Sequence, residues 1–256
     1  MASTSDQPSD TGRGAEAEIA ALSGLVSRLE VRDLSHVLEE GIPFFPTHSR
    51  FYHMAAGRSD DPAVMFQILM HEHNGTHVDA PAHYIKEGPD PTRHFLHSVA
   101  PDALIGPACV LDVSDAPPDL LPVEAITGWE KRHGPIAVGD AVIFNFGWHR
   151  KWKLGAAGGA FVAHWPGLSR EAAAWLLERK VRAVGTDCLS IDVSGSTEIP
   201  GHDRFLRNGI LIMENLAALD GLPPRIFLLA MPLRIRDGSG SPIRALALIP
   251  KAGGST

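Results

Sequence analysis

HEHNGTHVDAPAHY, residues 71–84, places His73, Gly75, His77, Asp79, Pro81 and His83 at alternate positions. In an extended chain, side chains two apart share a face, so three histidines and an aspartate point the same way. A straight strand would hold the Cα atoms of His73 and His77 roughly 13 Å apart, at about 3.3 Å per residue. Ring nitrogens that share an ion, at bonds of about 2.0–2.1 Å, must converge more closely than that. Gly75 permits a bend, and Pro81 argues against continuation as a regular central strand. The spacing therefore fits the end of a strand that curls around an ion. A helix would also put His73 and His77 on one face. Between them, however, lies Asn-Gly-Thr, without the general-base Glu of an HExxH protease, and Gly disfavours a helix interior. A lone loop histidine usually does no more than satisfy hydrogen bonds; four such groups in so short a span argue for a ligand cluster.

Working outward, AVMFQILM (63–70) is an apolar run that leads into this segment. GIPFFPTHSRFYHM (41–54) cannot be a regular helix, because Pro43 and Pro46 interrupt it. Short apolar, β-branched stretches read as strands at 31–38, 108–113, 141–148, 181–187, 209–216, 225–235 and 243–249. The clearest helix is REAAAWLLERK (170–180), with Ser169 as its N-cap; LPVEAITGWEKRH (121–133) is a second, weaker one. Residues 17–29 carry Ile19, Leu22, Leu25, Val26 and Leu29 at helical spacing, whereas residues 1–16 have little to bury and read as a disordered tail. The organisation expected is one α/β domain over 17–256, built around a large sheet.

Composition narrows the function classes. A net charge of −7 without a long basic run argues against a nucleic-acid surface. No apolar run approaches the roughly 18–20 residues needed to span a bilayer, and the polar N-terminal stretch does not resemble a signal peptide. A cytoplasmic enzyme acting on a small molecule is the expectation. Cys109 and Cys188 sit apart in apolar stretches, which argues against a disulfide or a thiolate metal site.

A second pair of polar residues stands 12 apart: His202 and Glu214 in GHDRFLRNGILIMEN. Glu214 interrupts an apolar strand, and a buried carboxylate needs a charge partner or a metal. A salt-bridged core residue is the competing explanation. No nucleophile elbow surrounds Ser169, and GAAGG (155–159) and GSGSP (238–242) read as turns rather than phosphate loops.

HNGTHVDAPAH (73–83) resembles the HxGTHxDxPxH signature of the cyclase family, which includes bacterial kynurenine formamidases and isatin hydrolases. The likeness extends through FNFGWHRKW (144–152), PGLS (166–169), VGTDCLSID (184–192) and GSGSPIRALALIP (238–250). It implies a single α/β domain of the swivelling β/β/α type, with a central mixed sheet flanked by helices. It also implies a homodimer or homotetramer with the pocket near a subunit boundary. By the same resemblance His73, His77 and Asp79 bind a metal, Asp79 bridges to a second one held by His202 and Glu214, and His83 is the acid/base. An N/O donor set suits Zn2+ or Mn2+, as one ion or two. The implied reaction is hydrolysis of a small amide by metal-activated water, on an aryl-formamide such as N-formylkynurenine or a cyclic amide such as isatin. A metal-dependent cyclase or dehydratase is the alternative, and a non-catalytic metal-binding protein a third. Phe44, Phe45, Phe66 and Trp148 are the candidate substrate-stacking residues, with Phe51, Tyr84 and Trp165 also near the motif. Arg204 and Arg207 are candidate partners for a substrate carboxylate.

Overall fold

Alternation of side chains along the central strands decides what each of their faces meets. The computed structural model describes residues 10–58, 60–85, 90, 92–115 and 117–251. The chain begins with helix α1 (Asp10–Ser27) and strand β1 (Leu29–Asp33). An antiparallel ribbon of β2 (Tyr52–Ala55) and β3 (Phe66–Leu69) follows, then the short β4 (His77–Asp79). Strands β5 (Ile105–Asp112) and β6 (Leu120–Leu121) lead into helix α2 (Val123–His133). Next come β7 (Ala141–Asn145), β8 (Gly167–Leu168), α3 (Arg170–Glu178) and β9 (Ala183–Thr186). Helix α4 (Pro200–Arg207), β10 (Leu211–Glu214), β11 (Arg225–Pro232) and β12 (Gly240–Pro250) complete the order.

The main sheet runs β12-β11-β5-β7-β9-β10-β4, and β4 pairs back onto β12. The expected sheet is therefore present, but it closes into a barrel of seven strands. The closure rests on the length of β12. One edge of this strand pairs with β11 over 243–248; the other pairs first with β4 over 240–242 and then with β1 over 246–250. Neighbours along β5-β7-β9-β10 are parallel, and the remaining pairs are antiparallel, so the sheet is mixed.

Alternate residues of the parallel strands fall into two cores. Ala108, Val110, Ala141, Ile143, Ala183, Leu211 and Met213 join Leu228, Ala230, Ala245, Ala247 and Val78 in one, the barrel interior, where many alanines suit a narrow space. Cys109, Leu111, Val142, Phe144, Val184 and Ile212 belong to the other, on the outer face. That face is covered by Ile126 and Trp129 of α2, Ala172, Ala173 and Leu176 of α3, and Phe205 and Leu206 of α4. The helices thus pack against the parallel part of the barrel. Ser169 caps α3 as expected, its Oγ accepting from the Ala172 N–H at 3.1 Å.

Two sequence expectations change. Helix α1 begins at Asp10, so residues 10–16 continue the helix expected from 17, with Ala15, Glu16 and Ala17 good helix formers; residues 1–9 lie outside the described residues. The stretch 31–38 is strand only to Asp33, after which Ser35 makes an isolated bridge to Leu216. Cys109 and Cys188 are free and buried. Among the described residues no helix is long and apolar enough to cross a membrane.

Candidate active site

Strand β4 sets the site because its parity is fixed by Val78, which is fully buried in the barrel interior. His77 and Asp79 must then face outward, on the side covered by the helices. Register brings Glu214 of β10 opposite His77, and Gly240 of β12 opposite Asp79. The strand holds only His77–Asp79, so the shared face inferred from the sequence applies to these two. His73 reaches the same place through a turn in which Gly75 takes φ +67°, and His83 through a 3-10 turn at Pro81–His83. A Cβ at Gly75 would lie 2.4 Å from Leu38 Cδ2, so both its conformation and its packing demand glycine. His202 comes from the first turn of α4.

The groups converge. His77 Nε2 lies 3.4 Å from Asp79 Oδ1 and 3.6 Å from Glu214 Oε2. His202 Nε2 lies 3.6 Å from both Asp79 Oδ2 and Glu214 Oε1. His73 Nδ1 is 2.6 Å from Asp79 Oδ1, and the His83 ring centroid is 4.0 Å from that of His73. Two groups of ligand atoms share Asp79, namely His73–Asp79–His83 and His77–Asp79–Glu214. Asp79 belongs to both groups, and His77 stands with Glu214 across the strand pair.

Electrostatics follows from burying two carboxylates beside four imidazoles. Burial works against an ionised Asp79, yet the neighbouring His83, His73 and His202 hold its carboxyl well below the usual range. Glu214 is pushed up to about 7 by burial and by the Asp79 charge. Burial would lower His77 and His202, but Asp79 and Glu214, with Asp192 on His202, raise both. His83 is lowered to about 3, chiefly by burial.

A cation fits this arrangement. Asp79 Oδ2 is buried and, among the described residues, has no hydrogen-bond partner, which is rare for a buried carboxylate oxygen. Each inward histidine has its other nitrogen engaged: His77 Nδ1 with the Gly75 carbonyl at 2.9 Å, His202 Nδ1 with Asp192 at 2.7 Å, and His73 Nε2 with Ser239 Oγ at 3.0 Å. Such outer partners fix the ring and its tautomer in metal sites. Gly240 leaves the room His73 needs, since a Cβ there would stand 2.5 Å from His73 Cε1. Asp192, Ser239 and Gly240 were not singled out in the sequence; the signal for Asp192 was a lone acid closing the apolar CLSID stretch.

His73, His77, His83, His202 and Glu214 border a cavity of about 480 Å³, whose walls include Phe45, Tyr84, Trp165, Leu189, Val193 and Ile199, with His48, Ser190 and Ser196 as further polar lining. Of the four candidate stacking residues, Phe45 lines this cavity and the other three lie elsewhere in the chain. Phe44 borders a larger cavity of about 580 Å³ that contains none of the converging groups. Phe66 is exposed on β3 against His53. Trp148 is buried in the outer core, its Nε1–H donating to the Phe161 carbonyl. Arg207 is exposed and pairs with Asp203, and neither it nor Arg204 borders the cavity.

The chain is similar to known proteins over most of its length. The cyclase family profile matches residues 32–193. An isatin hydrolase of Roseibium aggregatum is 35% identical, over 91% of this chain and 98% of that protein. A kynurenine formamidase of Erythrobacter litoralis is 30% identical, over 91% of this chain and all of its own length, at 100%. Among solved structures, an isatin hydrolase bound to the product analogue thioisatinate superposes with a TM-score of 0.83, at 31% identity, over 93% of this chain and 99% of the other. Isatin hydrolase A from Ralstonia solanacearum gives 0.80, also at 31% identity, over 96% and 100%. The chain belongs to the cyclase family.

Proposed function

We propose that this enzyme hydrolyses a small cyclic aryl amide of the isatin type, with an aryl-formamide as its second substrate class. The observation that carries the proposal is the convergence of His73, His77, Asp79, His202 and Glu214 beside His83, at the edge of a cavity walled by Phe45, Tyr84 and Trp165. The five would hold one or two ions, Zn2+ or Mn2+ by donor type, and bound metal supplies acidified water and a polarised carbonyl.

The chain's own residues supply the rest. Phe45 and Trp165, 6.2 Å apart edge to face, form an aromatic wall that orients an aryl ring and excludes water. His83, which borders the cavity with its ring 4.0 Å from that of His73, accepts a proton from the attacking water. It returns that proton to the nitrogen as the C–N bond breaks, so one water is consumed and an acid and an amine result.

The β2–β3 ribbon supports a homo-oligomer, dimer or tetramer. Tyr52, Met54, Phe66, Ile68 and Leu69 are all exposed on it, and a ribbon of two strands is marginal without a covering surface. A second copy of the chain is the proposed cover.

Turnover of isatin and of N-formylkynurenine by metal-reconstituted protein, followed by product mass, tests the reading. Ring opening with gain of one water, lost in His83→Ala while metal is retained, is the expected result. A product lighter by one water would favour the ring-forming alternative, and full turnover by His83→Ala would remove that residue from the chemistry.

A further inference from the structure

The sequence GSG at 238–240 reads as a turn, but each of its residues meets the segment 72–79. A Cβ at Gly238 would lie 3.2 Å from Glu72 Oε1, so glycine there leaves space for that side chain. The Ser239 carbonyl accepts from the Ala80 N–H at 2.9 Å, which ties the two segments together. Gly240 lies against the His73 ring. Between the glycines, Ser239 joins two side chains.

Glu72 Oε2 accepts from the Ser239 N–H at 2.9 Å and from the Ser239 Oγ–H at 2.8 Å. Ser239 Oγ also lies 3.0 Å from His73 Nε2. A carboxylate only accepts, and a hydroxyl has a single proton to give. With that proton committed to Glu72, Ser239 Oγ can only accept from His73, so Nε2 carries the ring proton. Nδ1 is then the lone-pair nitrogen, and it faces Asp79 Oδ1 at 2.6 Å. His77 and His202 are held in the opposite sense, with Nδ1–H given to Gly75 and Asp192.

We infer that Glu72 and Ser239 are positioning residues that fix His73 for ligation through Nδ1 and thereby set metal affinity. The inference rests on the reading of His73 as a ligand. Glu72 acts through Ser239, by accepting the hydrogen bond of its hydroxyl.

The test is Mn2+ affinity of the full-length protein, measured by competition with a chelating dye. Ser239→Ala and Glu72→Ala should each weaken binding about 10–100-fold, the range for partners behind a metal ligand. Ser239→Thr, which keeps the hydroxyl, should restore it. Adding Glu72→Ala to Ser239→Ala should weaken binding no further, which a merely structural role for Glu72 would not produce. Thermal melting of the metal-free variants checks that each folds, and Glu72→Ala with Ser239→Thr carries the comparison if Ser239→Ala does not. Wild-type affinity in both single variants, with affinity lost in His73→Ala, would overturn the relay and leave the metal site standing. Fully multiplicative losses in the double variant would also overturn it. Wild-type affinity in His73→Ala would overturn both this inference and the ligand reading beneath it.

Discussion

Replacing Glu214 by Gln should make the metal-free enzyme more stable and the metal-bound enzyme weaker, and the size of the first effect can be worked out. Glu214 is buried at the end of β10, where its Oε1 accepts from the Ile191 N–H at 2.9 Å, a bond that a Gln oxygen can keep. Burial and the Asp79 charge raise its pKa from an ordinary 4.5 to about 7. At about 1.4 kcal/mol per pH unit, ionising Glu214 in the metal-free fold costs about 3 kcal/mol relative to the unfolded chain. The sign follows from a folded pKa above the unfolded one: the deficit is small near pH 4.5, grows as pH rises through about 7, and is complete above it. Urea unfolding in the presence of a chelator should therefore show Glu214→Gln more stable by about 3 kcal/mol at pH 8.5 and by less than about 1 kcal/mol at pH 5. With saturating Mn2+ the order should reverse, because Glu214 is a proposed ligand and binding stabilises the fold. A chelated Gln variant less stable than wild type at pH 8.5, or a difference independent of pH, would refute the electrostatic account of this residue.

Further outcomes follow from other parts of the site. Asp192→Ala removes the acceptor of His202 Nδ1 and of two N–H groups in the first turn of α4; Mn2+ affinity by dye competition should fall about 10–100-fold. Gly240→Ala drives a Cβ to 2.5 Å from His73 Cε1 and 2.8 Å from the Val78 carbonyl oxygen, and should cost about 1–3 kcal/mol in denaturant unfolding. Phe45→Ala should raise KM for isatin several-fold while Phe44→Ala leaves it unchanged, since only Phe45 borders the ligand cavity. Burial acts to lower the His149 pKa, but Asp187 at 2.9 Å and Asp220 at 3.3 Å raise it overall. Its stabilisation is complete below about pH 6.5 and lost as pH rises through the folded value, so His149→Asn should be more damaging at pH 5.5 than at pH 9 by unfolding midpoint.

Local pattern carried much of the fold, and the limits of legibility are physical. Apolar stretches at 108–113, 141–148, 181–187 and 209–216 read as strands because each buries both faces, one in the barrel and one under the helices. Closure of the sheet was not legible, since it depends on Gly240–Pro242 finding His77–Asp79 more than 160 residues away. Nothing in a short apolar run names its partner strand. AVMFQILM shows the same limit: its residues look like core, yet Phe66, Ile68 and Leu69 end up exposed on a ribbon. At the site, the alternation of His77 and Asp79 was readable, as was the anomaly of Glu214 in an apolar strand. The supporting shell was not, because Asp192, Ser239 and Gly240 act through contacts that only the folded chain brings about. Of the aromatic candidates, Phe45, Tyr84 and Trp165 border the cavity while Phe44, Phe66 and Trp148 do not, a division that only the folded chain decides.

The central claim is that a metal held by this cluster is required for amide hydrolysis. Its most direct test is to strip the protein with a chelator, titrate Mn2+ back, and read bound metal and isatin opening in the same samples. Stripped protein should show no turnover, and activity should rise in step with occupancy, with both lost in His77→Ala. Undiminished isatin opening by the metal-free protein, or by His77→Ala without bound metal, would contradict it.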